Sequence, residues 1–345
     1  MTGSATQARL LDRWYDAGAR PGGLVRGLSW LYRLVTAVRT KAYQAHWIRS
    51  HRLTKPVVVV GNLTVGGTGK TPLVAWLAER LVARGFHVGI VSRGYGRSYD
   101  APHLVGVDSN WQDVGDEPLL LRRRTGCLTV VGRDRVAAAQ ALIAHGVDVI
   151  IADDGLQHLR LARDCEIVVV DGARGFGNGM LLPAGPLREM PSRLLRADLT
   201  VVNGRPEHAS LGEVLSSTAL LMSTVSEQAI RVDRAGEPRP LDTFKGQRVH
   251  AVAGIGNPAR FFRGLREQGI EVVEHPFQDH HPFVAADLQF GDASPVLMTE
   301  KDALKCRDFA DPRLWYVPIS ARFSEAHERL LVDRVMLQAG LGRGR

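Results

Sequence analysis

The sequence has few cysteines and no long apolar stretch. Cys127, Cys165 and Cys306 are the three cysteines among 345 residues, and none has the paired spacing of a zinc site or a disulfide framework. Such sparse cysteine usage is typical of a reducing, cytoplasmic environment. No run of about 18 apolar residues occurs, so we expect no membrane-spanning helix. The N-terminus also lacks the apolar core of a signal peptide.

Acidic residues are nearly missing from the N-terminal segment. Residues 1–55 contain only Asp12 and Asp16 against ten lysines and arginines, so this segment carries the whole formal net charge of +8. Aromatic and aliphatic residues are interleaved with the basic ones at roughly helical spacing. A basic amphipathic helical segment over residues 1–50 favours contact with an anionic membrane surface. The alternative is an amphipathic helix that packs on its own domain, and each can hold for part of the segment.

The strongest motif follows this segment and predicts a phosphate-binding loop. Four valines at 57–60 indicate a buried parallel strand, and a glycine-rich turn then leads into a helix, which together cradle an anion. Lys70 is predicted to reach the β- and γ-phosphates of ATP, and the Thr71 hydroxyl is predicted to bind Mg²⁺. The strict pattern has glycine where this chain has Thr64. The predicted loop residues are Gly66, Gly67, Thr68, Gly69, Lys70 and Thr71.

A second apolar strand, within residues 147–154, ends in two acids. Downstream of a phosphate-binding loop, such a strand end usually carries the carboxylate that holds Mg²⁺. Two adjacent carboxylates repel each other unless a cation or a donor lies between them. We therefore predict a metal site from Thr71, Asp153 and Asp154, and we include Lys70 and Asp154 among the catalytic residues.

The alternation of strands and helices predicts the fold class. Along residues 51–225 the spacing is that of an α/β, P-loop NTPase-like, doubly wound parallel sheet. Residues 226–345 predict a second, smaller α/β domain, and residues 205–245 resemble a linker with extended pieces. In such sheets the loops at the carboxyl ends of the strands hold the ligand.

A series of motifs resembles one known family. In chain order these motifs resemble the tetraacyldisaccharide 4′-kinase (lipid A 4′-kinase) family, over most of the chain from about residue 55 to 305. The resemblance implies transfer of the γ-phosphoryl group of ATP to the 4′-hydroxyl of a tetraacylated glucosamine disaccharide 1-phosphate. It also implies a peripheral enzyme on the cytoplasmic face of the inner membrane of Gram-negative bacteria. The motifs lie at residues 61–72, 92–96, 115–118, 153–158, 183–189, 254–258, 277–280 and 299–302.

The resemblance also implies roles for residues outside the phosphate loop. Asp116 becomes the candidate general base, supported by His280. Taken alone, Asp116 could be a helix N-terminal acid that favours the dipole, and Arg93 a solvated turn residue. An acceptor that carries a phosphate suits arginine donors. We expect no nucleic-acid partner and no obligate protein partner. The residues implied to bind the acceptor are Arg93, Tyr95, Gln157, His158, Arg188 and Glu189.

Two other functions use a phosphate-binding loop. A switch or assembly-factor NTPase would hydrolyse nucleotide without an acceptor and would carry a guanine-reading Asn-Lys-x-Asp stretch, which the sequence does not contain. A nucleic-acid-dependent ATPase would use the basic segment for phosphate contacts, with a steep salt dependence. The aromatic and aliphatic residues between 24 and 47 argue against it.

Overall fold

The protein, seen in a computed structural model, contains two mixed sheets flanked by helices. The structure describes residues 13–16, 21–94, 101–212, 219–233 and 238–342. The α-helices are α1 (Gly23–Gln44), α2 (Lys70–Val82), α3 (Trp111–Val114), α4 (Asp116–Thr125), α5 (Arg135–Ala144), α6 (Pro258–Glu267), α7 (Glu300–Cys306) and α8 (Glu325–Gln338). The strands are β1 (Val57–Gly61), β2 (Val88–Ser92), β3 (His103–Leu104), β4 (Leu128–Val131), β5 (Val149–Asp153), β6 (Cys165–Asp171), β7 (Leu199–Asn203), β8 (Leu220–Val225), β9 (Gln228–Arg231), β10 (Arg239–Pro240), β11 (Arg248–Ala253), β12 (Glu271–Pro276), β13 (Val296–Thr299), β14 (Leu314–Val317) and β15 (Ser320–Arg322).

The first sheet is doubly wound around β1. Its strand order is β15-β8-β7-β6-β1-β5-β2-β4-β3, and only the edge strands β15 and β3 run antiparallel. β1 pairs with β5 on one side and with β6 on the other, and Val60 lies opposite Asp153. The acids that end β5 and β6, Asp153 and Asp171, therefore lie at the same sheet edge as the loop after β1. The predicted α/β fold is confirmed.

Burial on both faces explains the uninterrupted valines of β1. Val58 and Val60 pack with Leu73 of α2 in one core, whereas Val57 and Val59 belong to the core on the other face. A central parallel strand has no solvent face, so its sequence does not alternate between apolar and polar residues.

The second sheet has the order β10-β9-β14-β13-β11-β12. β14, β13, β11 and β12 are parallel, and β9 and β10 are antiparallel additions. The chain then returns to the first sheet, because β15 pairs with β8 and Leu331 of α8 joins the core around α2. The sequence analysis groups all of residues 226–345 in the second domain, whereas β15 and α8 pack with the first sheet. The division into three domains stays a prediction.

α7 begins directly after β13. The side chain of Thr299 caps it by accepting a hydrogen bond from the Asp302 backbone N–H. A capping threonine followed by acids in the first turn is a helix-start signal. α7 is short, yet its position against α4 brings its charged residues to the cleft described below.

α1 is attached along one side to the loops that follow β5 and β6. Ser29 Oγ donates to the carbonyl of Leu181, Tyr32 Oη to that of Arg188, and Arg39 to that of Gln157. None of its residues is buried. No helix in the described parts of the chain has the length and apolar character needed to cross a membrane.

Candidate active site

A cleft of about 2060 Å³ is lined by residues from both sheets. The first sheet contributes the loop between β1 and α2 and the ends of β5, β6 and β7. The second sheet contributes the loops after β11 and β12 and the first turn of α7. Open α/β sheets bind ligands at this edge, and here a second sheet covers it.

The loop before α2 has the geometry of an anion cradle. Gly66 and Gly69 have φ angles of 107° and 94°, which glycine adopts without strain. The loop is fixed from outside: Asn203 Nδ2 donates to the Thr68 carbonyl at 3.0 Å, and Asn62 Nδ2 lies 3.4 Å from the Gly66 carbonyl. The first turn of α2 contains no acid, so its free N–H groups favour a phosphate.

Lys70, Asp154 and Arg188 form a charged group at the end of β5. Lys70 Nζ lies 3.5 Å from one carboxylate oxygen of Asp154, and Arg188 Nη1 lies 3.1 Å from the other. Burial favours a higher pKa for Asp154, but Lys70 and then Arg188 outweigh it and lower the pKa to about 2. Asp154 also has a left-handed φ of 48°. Its ionised carboxylate is therefore held in place at the mouth of the phosphate loop.

Asp153 lies in a contrasting environment. It is 1% exposed and accepts a hydrogen bond from Ser92 Oγ at 3.1 Å. Burial, and then the charges of Glu117 and Asp154, raise its pKa to about 7. A nearby cation would favour the ionised form of a carboxyl group in this position. Oxygen donors of this kind are what Mg²⁺ prefers, usually one or two carboxylates completed by phosphates and water.

The donor set around the phosphate loop therefore fits Mg²⁺ only together with a nucleotide. Asp153, Asp154 and the Thr71 hydroxyl provide three oxygen donors. In the part of the chain that the structure describes, no group of three or more His, Cys, Asp or Glu side chains could hold a metal ion. The hydroxyl of Thr68, a residue of the loop itself, is buried and has no hydrogen-bond partner among the described residues.

Across the cleft, Asp116 and His280 form a close pair. Asp116, at the start of α4, is 4% exposed, and its Oδ2 lies 2.9 Å from His280 Nδ1. Although burial favours a higher pKa for Asp116, the His280 hydrogen bond and the charges of Lys301 and Lys305 lower it well below its ordinary value. The Asp116 hydrogen bond raises the pKa of His280. The carboxylate therefore stays ionised and oriented, as a general base must be.

Two lysines of α7 lie close to this pair, Lys301 in the wall of the cleft and Lys305 behind it, and the sequence analysis did not select them. Lys301 Nζ lies 3.2 Å from Glu117 and 3.2 Å from Asp279. Lys305 Nζ lies 3.3 Å from Asp116 Oδ2. The signal available in the sequence was their spacing, four residues apart after the helix cap Thr299, which puts both on one face of a helix.

Most of the predicted acceptor residues lie near the N-terminal helix. Gln157 Nε2 donates to Glu189 at 2.9 Å, and Arg188 donates to Gln157 Oε1 at 3.3 Å. His158 lines the cleft, and burial, with Arg135, lowers its pKa to about 4. It is therefore a neutral imidazole at pH 7.

The other three predicted acceptor residues do not share one location. Arg93 is exposed and lines the cleft. Glu189 is not among the described residues that line it, because its carboxylate faces Gln157 and Arg193. Tyr95 lies outside the described residues.

A loop shaped for nucleotide phosphates, facing an ionised carboxylate across the cleft, defines the protein as a phosphotransferase of the P-loop class. The sequence profile of the tetraacyldisaccharide-1-P 4′-kinase family matches residues 23–336. That match covers most of the chain, which therefore belongs to this kinase family.

Comparisons with individual relatives support the family assignment. The chain is 51% identical to the tetraacyldisaccharide 4′-kinase of Alkalilimnicola ehrlichii, over 92% of each chain. It is 48% identical to that of Stenotrophomonas maltophilia, over 97% of this chain and 98% of the relative. The crystal structure of LpxK from Aquifex aeolicus in complex with ATP superposes with a TM-score of 0.75 at 28% identity, covering 90% of this chain and 97% of that one.

Proposed function

We propose that the protein transfers the γ-phosphoryl group of ATP to the 4′-hydroxyl of a tetraacylated glucosamine disaccharide 1-phosphate, a step of lipid A biosynthesis. The observation that carries the proposal is one cleft that contains both the phosphate loop and the Asp116–His280 pair. A switch-type NTPase needs the loop but not a second, oriented base.

The phosphate loop is the proposed nucleotide site. Backbone N–H groups from Gly66 to Thr71 would bind the phosphates, and Lys70 would neutralise charge on the transferred group. Thr71, Asp153 and Asp154 would hold Mg²⁺, which supplies charge neutralisation between the β- and γ-phosphates when bound. Lys70 lies 3.5 Å from Asp154, so binding of nucleotide would change its partner from the carboxylate to a phosphate oxygen.

Asp116 is the proposed general base. Its carboxylate would take the proton of the 4′-hydroxyl while that oxygen attacks the γ-phosphorus and the bond to the bridging oxygen of ADP breaks. His280 would orient the carboxylate and share its charge, as in other Asp–His pairs. The remaining proposed acceptor contacts come from Arg93, Tyr95, Gln157, His158, Arg188 and Glu189.

A membrane-bound acceptor accounts for the exposed face of α1. Leu28, Leu31 and Val35 are 48–57% exposed on one side of this helix, while Tyr32 and Arg39 touch the carbonyls of Arg188 and Gln157. The apolar side is thus next to the proposed acceptor residues. We infer peripheral attachment to the cytoplasmic face of the inner membrane, through apolar contacts and the basic charge of residues 1–50.

The decisive experiment is a product mass analysis. Purified protein is incubated with Mg-ATP and tetraacyldisaccharide 1-phosphate in detergent micelles. A gain of one phosphate on the lipid is expected. Hydrolysis of ATP with no lipid product would overturn the proposal and favour the switch-type NTPase.

Charges on the apolar side of α1 are expected to release the protein from membranes. The triple change Leu28→Asp, Leu31→Asp and Val35→Asp should lower cosedimentation with anionic phospholipid vesicles by about tenfold or more, because each buried apolar side chain contributes roughly 1–2 kcal/mol. ATP affinity should stay the same. The control places Asp at Leu330 and Leu337 of α8, which are at least half exposed as well. Equal vesicle binding by both variants would contradict a membrane role for α1.

A further inference from the structure

Lys305 is a fully buried lysine at the contact between α4 and α7. Its side chain is 0% exposed. Its ammonium lies 3.3 Å from Asp116 Oδ2 and 3.5 Å from Asp302 Oδ1. It donates no hydrogen bond of good geometry to any described residue. The rings of Trp111 and Phe283 are 5.8 Å away, so the charge is surrounded by apolar groups and two carboxylates.

Stability alone does not explain a charge in this position. A buried ion pair is often no more stabilising than apolar side chains of similar volume. The contact between α4 and α7 already contains apolar residues, including Leu119 and Leu304. A methionine or leucine would fill the same space without the desolvation of an ammonium group. What the lysine adds is a positive charge next to Asp116.

Lys305 is also the lysine nearest to the proposed base. Lys301 Nζ is 3.9 Å from Asp116 Oδ2 and has closer partners in Glu117 and Asp279. It lines the cleft, whereas Lys305 does not. Lys305 therefore acts on Asp116 from behind the cleft wall.

A short network ties Lys305 to the loop of His280. Asp302 Oδ2 accepts hydrogen bonds from Thr299 Oγ1 at 2.6 Å and from the Gly254 N–H at 2.9 Å. The Gly254 carbonyl in turn accepts the His280 N–H at 3.2 Å. Both members of the Asp116–His280 pair are thus held by the segment around α7.

We propose that Lys305 is a positioning residue that holds the Asp116 carboxylate ionised and in place for the transfer step. Lys305 lies on α7, which follows β13 of the second sheet. The inference rests on the proposed function, because it takes Asp116 as the base. The charged groups that face Asp116 come from three segments: Glu117 on α4, Asp279 and His280 after β12, and Lys301, Asp302 and Lys305 on α7.

The test compares Lys305→Met with Lys245→Met, an exposed lysine outside the cleft. Lipid phosphorylation by the full chain is measured from about pH 6 to 9 with both substrates varied. In Lys305→Met we expect kcat to fall about 10- to 100-fold while both KM values stay within about threefold. Because the pKa of Asp116 lies well below its ordinary value, the limb within this pH range is that of its partner His280, whose pKa is raised. Losing a nearby positive charge raises the pKa of His280 further, so this limb should move up by about one pH unit.

A merely structural role predicts a different result. Local loosening would lower kcat equally at every pH and leave the limb where it is. An unmoved limb, or a kcat equal to that of Lys245→Met, overturns the inference. If the wild type forms no phosphorylated lipid, the proposed function itself fails. An active wild type with an unaffected Lys305→Met removes the positioning role alone.

If Lys305→Met shows no cooperative unfolding and is therefore not natively folded, the variant Asp302→Asn tests the inference instead. The amide oxygen can still accept the Thr299 and Gly254 hydrogen bonds. Loss of the competing negative charge leaves Lys305 paired with Asp116 alone, so the same limb should move to lower pH. A limb that stays in place or moves upward contradicts the inference.

Discussion

Replacing Asp116 with Asn is expected to lower kcat for lipid phosphorylation about 10²- to 10⁴-fold, the range contributed by a positioned general base. Asn has the same shape, and its amide oxygen can still accept the Glu117 N–H bond, which is 2.9 Å long in the structure. It cannot accept the proton of the acceptor hydroxyl. The KM for ATP should stay within about threefold, because Asp116 lies across the cleft from the phosphate loop.

The measurement is the mass of the lipid product formed over time, at a temperature where the variant is folded. The folded state has to be checked, because removing one partner of a buried charge pair costs roughly 3–5 kcal/mol, and Lys305 loses its nearest carboxylate. Asp113→Asn is the matched control, since Asp113 is an exposed acid three residues earlier. An Asp116→Asn enzyme with a rate near that of Asp113→Asn would move the base elsewhere.

The centre of the fold could be predicted because local patterns determine it. Val57 to Val60 have no polar face, and the glycines that follow allow the backbone angles that the loop requires. Parallel pairing then brings Asp153 to the same edge as the loop. Each step depends on a short stretch of sequence and on the geometry of parallel sheets.

What could not be predicted depends on contacts between distant parts of the chain. β15 has three residues, and it becomes a strand because β8 offers a free edge about a hundred residues earlier. The proximity of Lys305 to Asp116 results from the packing of α7 on α4, two helices from different sheets. The local sequence of neither helix indicates which other helix it packs against. The Asp116–His280 pairing came from resemblance to a family for the same reason.

Glu189 shows a different limit of sequence reasoning. The resemblance to the kinase family implies that both Arg188 and Glu189 bind the acceptor, and these roles stay predictions. In the structure Arg188 turns to Asp154, while Glu189 bonds to Gln157 and lies 3.5 Å from Arg193. Neighbouring residues in irregular loops have no fixed relative direction, in contrast with a strand or a helix.

Placing alanine at Gly69 is expected to weaken ATP binding about 100-fold or more, by disturbing the backbone N–H groups that bind phosphate. A Cβ atom there would lie 2.2 Å from Asn203 Nδ2, at a φ angle of 94°. Strain at such an angle costs about 1–3 kcal/mol, and the clash adds to it. Asn203 cannot move away freely, because it donates to the Thr68 carbonyl and accepts from Arg260 at 2.8 Å.

Gly126→Ala is the control for an alanine placed at a positive φ without a clash. Gly126 ends α4 with a positive φ of 68°, and a Cβ atom there would meet nothing within 4 Å. This control should lose about 1 kcal/mol of stability and keep its ATP affinity. Isothermal titration calorimetry with ATP compares the two variants. If both bind ATP as the wild type does, the close contact between Gly69 and Asn203 does not hold the phosphate loop in its binding shape. Weak binding by Gly69→Ala alone would show that the lost affinity comes from the change in the phosphate loop and not from an alanine at a positive φ in general.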